Sequence, residues 1–481
     1  MAQQPTMANP DRYSKAGYHR KGVWRSAIIA VVALIVFVAI VVAIDVALKP
    51  QLGGLGLLVV GIILALVPAF LWMALFYVQD RVEAEPVGQV SRIFVIGLAL
   101  AGAIGIPLTN SVFRVQDWLY RDTASTLVGS LLIGAIETFI IYATVRYFIF
   151  DDAEFDERTD GVVYGTAAAL GYATALNLTF FLNSGGSGIG SAEIYMAELA
   201  LAYAAFGGVI GYFLGHAKME RDPIWWLPLG FVITVLLAGL FFILRGNLET
   251  GSITAASQTA LPSVSGFVLA GVMAIIVTVI VAFLVNRDVA RSLAGTLPVV
   301  EDPTVGDKQA NWATVAVFAV LLILGIIGWS AIVHATQSFS NGGISGSYPA
   351  NYGIVKSNDV FHVADKLGTG AEFVITTQNL PAGGNAQSVS SLLAAIRGGN
   401  NLIYKTLGTH QATVNGKSAT VQDFAYVDSS GLTGALPRVT EGTDYIFITG
   451  NKAIIVTLLA SPNTMGEVQP TFNSFVQSLS F

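Results

Sequence analysis

The chain has 481 residues, of which 54% are hydrophobic and 12% charged. Soluble domains carry about 25% charge. Together with a mean hydropathy of +0.65, this excludes a water-soluble enzyme and a disordered chain and points to a polytopic membrane protein. A net charge of −6 argues against nucleic acid as a partner. The absence of cysteine excludes disulfides, thiolate nucleophiles and cysteine-held metals. Five histidines in all leave little material for a histidine-rich metal site.

Nine apolar runs of membrane-spanning length follow in chain order, at about 24–48, 53–78, 89–110, 125–150, 161–183, 194–216, 224–244, 264–286 and 312–335. The fifth is built of Ala, Gly and Thr rather than Leu and Ile. The first is too long for a signal peptide, and no small-residue cleavage site follows it. With the N-terminus placed in the cytoplasm, the inner segments hold Arg12, Lys15, Arg20, Lys21, Arg25, Arg81, Arg92, Arg146, Arg158, Lys218, Arg221, Arg287, Arg291 and Lys308. The outer loops hold only Lys49, Arg114, Arg121 and Arg245. The positive-inside rule therefore predicts a cytoplasmic N-terminus, residues 1–23, and an outer C-terminal domain. The acidic inner stretch 151–160 reads as a solvated loop or as a docking site for a basic partner. The long loop 286–311, with Pro298 and Pro303, separates the bundle from the ninth span; by domain, a bundle at 24–244 is followed by two further spans at 245–335.

After the last span the composition changes. Residues 336–351, rich in Gly and Ser, read as a flexible linker. Within 352–481 the runs "DVFHVADK", "AEFVITTQ", "SATVQDFAYVD", "DYIFITG" and "AIIVTLLAS" read as strands. "AQSVSSLLAAIR" and "MGEVQPTFNSFVQSL" read as helices, the second with Val468, Phe472, Phe475, Val476 and Leu479 on one face. "VNGK" (414–417) and "TGNK" (449–452) have the composition of hairpin turns. This order of elements resembles the PsbP-like α/β sandwich family. The predicted fold is thus a polytopic α-helical membrane bundle of about nine spans carrying a C-terminal extracytoplasmic α/β domain. The loops "LPAGGNAQ" and "YVDSSGLTGALPRVTEG" are its candidate binding surfaces.

Polar groups inside a bilayer are costly, so those present are site candidates. Glu137 lies in the middle of the fourth span, roughly 18 Å from its outer end at 1.5 Å per residue. Asn177 lies in the fifth span; Glu198 and Tyr203 lie in the outer half of the sixth. Asp45 and His216 fall near helix ends, where water is expected to reach them. Gly207, Gly211 and Gly215 on the sixth span, and Gly97, Ala101 and Gly105 on the third, have the four-residue spacing of close helix contacts, placing the fifth and sixth spans at the centre of the bundle. No Ser/His/Asp order, Walker A loop or dinucleotide fingerprint stands out, so no cofactor is expected. The Gly-rich "NSGGSGIGS" (183–191) reads as an outer linker.

Three segments then resemble the PrsW family of intramembrane peptidases across roughly residues 50–245. They are "YVQDRVEAEP" (77–86), "AEFDERTDGVVYGTAAALGYATALN" (153–177) and "AYAAFGGVIGYFLG" (202–215). The resemblance implies a paired Glu-Glu with a Lys three positions on, a Glu directly before Asn177, and a His on the sixth span. Here Glu137 stands alone, Ile136 and Ile140 hold the other two places, Leu176 stands where that Glu belongs, and Tyr203 replaces the His. Peptide hydrolysis needs a base for water and a group for the oxyanion, and most of that apparatus is replaced. Glu137 and Asn177 alone are too few ligands for a catalytic zinc. The expected function is a degenerate, inactive peptidase that binds a membrane partner or relays a signal, with the lipid bilayer as its setting and Asn177 and Tyr203 as binding residues. Two alternatives stand beside it. One is an active peptidase using Glu137, with Glu198 as a second carboxylate. The other is a transporter or channel, against which the spans show no paired broken helices and no charged pathway.

Overall fold

The computed structural model describes residues 22–50, 52–79, 85–115, 118–119, 123–183, 188–220, 222–254, 263–293, 304–357, 359–365, 369–380, 383–401, 403–428 and 438–481. The N-terminal tail, Pro298, Pro303, Arg81, Arg121, Arg221 and much of the loops 77–86, 380–387 and 426–442 named above lie outside the described residues. The chain divides into two compact units, one within Met1–Phe113 and Thr126–Ile326, the other within Arg114–Ser125 and Ile327–Phe481.

Nine described helices are long and apolar enough to cross a membrane. They are α1 (Gly22–Leu48), α2 (Gly54–Gln79), α3 (Val87–Leu100, prolonged to Val112), α4 (Thr123–Phe148), α5 (Arg158–Asn183), α6 (Ile189–Met219), α7 (Trp226–Thr254), α8 (Ser263–Leu293) and α9 (Thr304–Val333). In hydrocarbon every backbone N–H and C=O must find its partner within the segment, and a helix satisfies this. The ends differ from expectation. Residues 189–191 open α6 rather than belonging to a linker, and α8 and α9 extend into the loop expected at 286–311. α3 passes through two π-helical turns, Ala101–Gly105 and Leu108–Val112.

α6 is buried along almost its whole length, and small residues explain why. A Cβ on Gly211 would sit 2.1 Å from the Gly161 carbonyl oxygen, and one on Gly207 would sit 2.3 Å from that of Gly165. On its other side α5 meets α3: a Cβ on Gly171 would lie 2.0 Å from the Phe94 oxygen, and one on Gly97 would lie 2.3 Å from that of Ala168. Three helices thus pack backbone to backbone, as the glycine spacing predicts. Val41 of α1, Leu64 and Ala65 of α2, Phe181 of α5 and Met196 of α6 close the cluster beside them. α9 lies along α4: Phe318 stacks on Phe139 with centroids 3.9 Å apart, and the Tyr142 hydroxyl donates to Asn311 at 2.6 Å.

In the second unit, the residues expected as a flexible linker form an antiparallel hairpin, β1 (Thr336–Asn341) and β2 (Ile344–Pro349). Ile344 and Tyr348 fix it by entering the domain core, a burial that composition alone does not reveal. A seven-stranded antiparallel sheet follows, in the order β3-β4-β5-β9-β8-β7-β6. Its strands are β3 (Gly353–Ile354), β4 (Phe361–Ala364), β5 (Glu372–Asn379), β6 (Ile403–Val414), β7 (Lys417–Asp428), β8 (Arg438–Thr449) and β9 (Lys452–Ala460). Both predicted turns form. Asn415 and Gly416 take positive φ between β6 and β7, and Gly450 does so between β8 and β9. α11 (Pro462–Ser478) lays Val468, Phe472, Phe475 and Val476 on one sheet face. α10 (Ala386–Asn400), opened by an Asn385–Ser388 capping box, covers the other with Val389 and Leu393. There Arg397 makes a two-pronged ion pair with Asp444. Burial opposes the guanidinium charge, but the Asp444 carboxylate outweighs it and holds the Arg397 pKa above its ordinary value.

Candidate functional site

Glu137 projects from α4 into the bundle and is 4% exposed. Its neighbours come from three other helices. Tyr203 of α6 brings its hydroxyl toward the carboxyl. Tyr172 of α5 stacks on Tyr203, ring centroids 5.5 Å apart and 13° from parallel. Behind Tyr172 lies α3 at its first π turn: a Cβ on Gly105 would fall 2.2 Å from the Tyr172 hydroxyl, so the glycine makes room for that oxygen. Such turns often mark functional sites within helices.

The polar atoms here are not satisfied. Glu137 Oε2, Tyr172 Oη and Tyr203 Oη are buried without a hydrogen-bond partner among the described residues. Tyr203 is near Glu137, yet the pair does not close a bond of ordinary geometry. Buried polar groups without partners are uncommon in native interiors and call for a water, an ion or a ligand. Ile136 and Ile140, at the places where the resemblance implies Glu and Lys, are buried apolar residues.

The other expected site residues have partners of their own. The Asn177 amide donates to the Met196 carbonyl at 3.1 Å, tying α5 to α6. Glu198 is wholly buried and faces Arg245 of α7, Nε to Oε1 2.6 Å. Arg245 in turn lies over the Tyr195 ring. A Cβ on Gly266 of α8 would strike the Glu198 carboxyl, so three helices enclose this ion pair. The sequence alone does not match Glu198 with Arg245, because only the antiparallel pairing of the two helices brings the start of α6 beside the end of α7. Glu193, one turn earlier on α6, is also missed. It is fully buried, and neither carboxyl oxygen has a partner among the described residues.

The segments that carry the family resemblance meet at the other end of α5. The Tyr164 hydroxyl donates to Glu85. Asp160 accepts from the backbone N–H groups of Asp156 and Glu157 at 2.8 and 2.6 Å. The retained residues thus join the entry to α3 to the start of α5. They stand apart from Glu137. His216, expected at a wet helix end, is instead 7% exposed and lies between Glu220 and Asp222.

Residues 85–285 match the family model described as the PrsW family intramembrane metalloprotease. The chain is 30% identical over 183 residues to Protease PrsW of Bacillus subtilis (strain 168), an alignment that covers 37% of this chain and 79% of that protein. It is 28% identical over 178 residues to Protease PrsW of Geobacillus kaustophilus (strain HTA426), covering 36% and 74%. The C-terminal part has a structural neighbour in cyanobacterial PsbP from Synechocystis sp. PCC 6803, at 13% identity and a TM-score of 0.25, covering 30% of this chain and 92% of that one.

The family description names a metal, and the residues around Glu137 do not fit one. Zinc sites use His, Cys or carboxylate donors, three or more of them. The described groups at this position are one carboxylate and two tyrosine hydroxyls. Glu198 is turned to Arg245, and the Asn177 amide is turned to a backbone carbonyl.

Proposed function

The chain belongs to the PrsW family of intramembrane proteases, and we propose that it is a member that keeps the membrane frame without the hydrolytic apparatus and serves as a scaffold for a membrane-spanning partner. The observation that carries this reading is the company of Glu137. Its nearest polar neighbours are the tyrosines 203 and 172. A phenol is a weak base and a poor metal ligand, so among the described residues neither tyrosine beside the acid can activate water in concert with it. The polar pocket suits recognition instead, because a carboxyl and two hydroxyls can hydrogen-bond a polar group carried by a passing helix, where such bonds stabilise association by about 1–2 kcal/mol or less. The excess of Lys and Arg in alternate loops supports a cytoplasmic N-terminus and an outer C-terminal domain, which would give the scaffold a receptor part facing away from the cytoplasm. Asn177 serves in this reading to hold α5 on α6.

One observation favours the active alternative: the three unsatisfied oxygens at Glu137, Tyr172 and Tyr203 could hold a water within reach of the acid. The deciding experiment is cleavage of membrane-spanning reporters by the purified full-length protein and by Glu137→Gln. The scaffold reading expects no difference between the two. Cleavage by the unaltered protein that falls by a factor of about 100 or more in Glu137→Gln, the scale of a lost general base, sinks it.

A further inference from the structure

We propose that the end of α6 forms a divalent metal-ion site, with His216, Glu220 and Asp222 as its ligands, separate from the Glu137 position. The helix itself sets the first pair: residues four apart share a face, so His216 Nε2 lies 3.2 Å from Glu220 Oε2. The chain then leaves the helix at Glu220, which is extended, and Asp222 meets the same ring, Oδ2 to Nδ1 2.6 Å. One donor atom from each residue can be chosen so that all three lie within 4.8 Å of one another. Bonds of about 2.0–2.2 Å to a tetrahedral ion put neighbouring ligands roughly 3.4 Å apart. An ion would draw the widest pair inward by about 1–1.5 Å; Glu220 and Asp222 both lie beyond the last helical residue.

The surroundings are those of a built site. Trp226 packs on the imidazole with centroids 4.9 Å apart, the Tyr212 ring lies 5.9 Å from it, and the three side chains are 9–15% exposed. Arg158 of α5 bonds the second oxygen of the Glu220 side chain, Nε to Oε1 2.8 Å. An outer-shell partner of this kind fixes a ligating carboxylate and leaves its other oxygen for the metal. Charge is compatible with a cation: two carboxylates face one imidazole, and among the described residues Arg158 pairs with the Glu220 carboxylate. One imidazole and two carboxylates suit Zn²⁺ or Mn²⁺ rather than a soft ion, and an ion here would tie the α6 end to the turn that starts α7.

The test uses full-length protein in detergent, equilibrated with Zn²⁺ or Mn²⁺, desalted and assayed for bound metal by mass spectrometry and for a metal-dependent rise in melting temperature. The unaltered protein and Glu137→Gln should each retain one equivalent and melt higher with metal. His216→Ala, Glu220→Gln and Asp222→Asn should lose both effects, and Arg158→Gln should bind about 10–100-fold more weakly. Glu220→Gln and Asp222→Asn keep side-chain volume, which guards against a misfolded His216→Ala. Failure of the unaltered protein to retain either ion overturns the proposal, as does retention that survives both carboxamide variants. Loss of the ion in Glu137→Gln alone would place the metal at the bundle centre and overturn it as well. Because the readout is metal content, its outcome is independent of whether the scaffold reading holds.

Discussion

Where α5 meets α6, the contacts are glycine against backbone: Gly161, Gly165, Gly207 and Gly211 bring the two main chains together with no side chain between them. In the C-terminal domain the contacts are rings. Phe373 lies 5.2 Å from Phe472 and 5.1 Å from Phe475, and Tyr352, Phe361 and Phe447 surround them. Lipid tails are as apolar as leucine, so helices in a bilayer gain little by burying large apolar groups and associate through close contact instead. In water each buried aromatic or aliphatic side chain contributes about 1.5–3 kcal/mol, and large residues are the better choice. One chain therefore carries two packing rules, and residue size reads out which solvent each part meets.

The largest effect should come from breaking the glycine rule. Gly211→Leu places atoms where the Gly161 oxygen lies, and backbone on both sides cannot give way. Loss of the monodisperse peak in size-exclusion chromatography is expected, with the sheet signal of the C-terminal domain kept in circular dichroism. A well-folded Gly211→Leu protein would break the comparison. Next comes the aromatic rule: Phe472→Ala should cost about 3–5 kcal/mol, seen as an earlier melt of the sheet signal. Five of the seven tryptophans lie in the other unit, so the fluorescence should move less than the sheet signal does. Glu198→Gln sharpens the comparison from inside the bundle. It leaves Arg245 facing a neutral amide, at a cost of about 1–3 kcal/mol, with reporter processing unaltered. The smallest effect belongs to the domain surface, where Asn385→Ala removes the α10 capping box and should cost about 1 kcal/mol.

Much of the fold is legible in the residues because single local rules decide it. Nine apolar runs give nine described helices, the Asn-Gly turn at 415–416 gives the β6–β7 hairpin, and the stripe from Val468 to Val476 gives the buried face of α11. β6 escapes such a reading. It is an edge strand, mostly exposed and bulged between Thr406 and Gly408, so it needs few apolar side chains, although the turn at 415–416 already demands a strand before it. β1 and β2 escape because a linker and an edge hairpin share a Gly/Ser composition. At the site, Glu137 and Tyr203 stand out by depth alone. The Glu198–Arg245 pair lies 47 positions apart in the chain, and the Glu85–Tyr164 pair 79 apart; such matches depend on how helices are arranged, which periodicity does not encode. His216 and Glu220, four apart on one helix, were the exception a spacing search could find.

The two π turns of α3 have a bearing on how this chain tolerates change in length. A π turn carries one residue more than its α counterpart, so Ala101–Gly105 and Leu108–Val112 are places where the third span holds surplus chain. Deleting a residue elsewhere in a span turns everything beyond it through about 100° and shortens it by about 1.5 Å. Deleting one within either of these turns instead lets the helix relax to ordinary winding, and the far end keeps its heading. The same slack gives the backbone behind Tyr172 a second winding to adopt without unthreading the span.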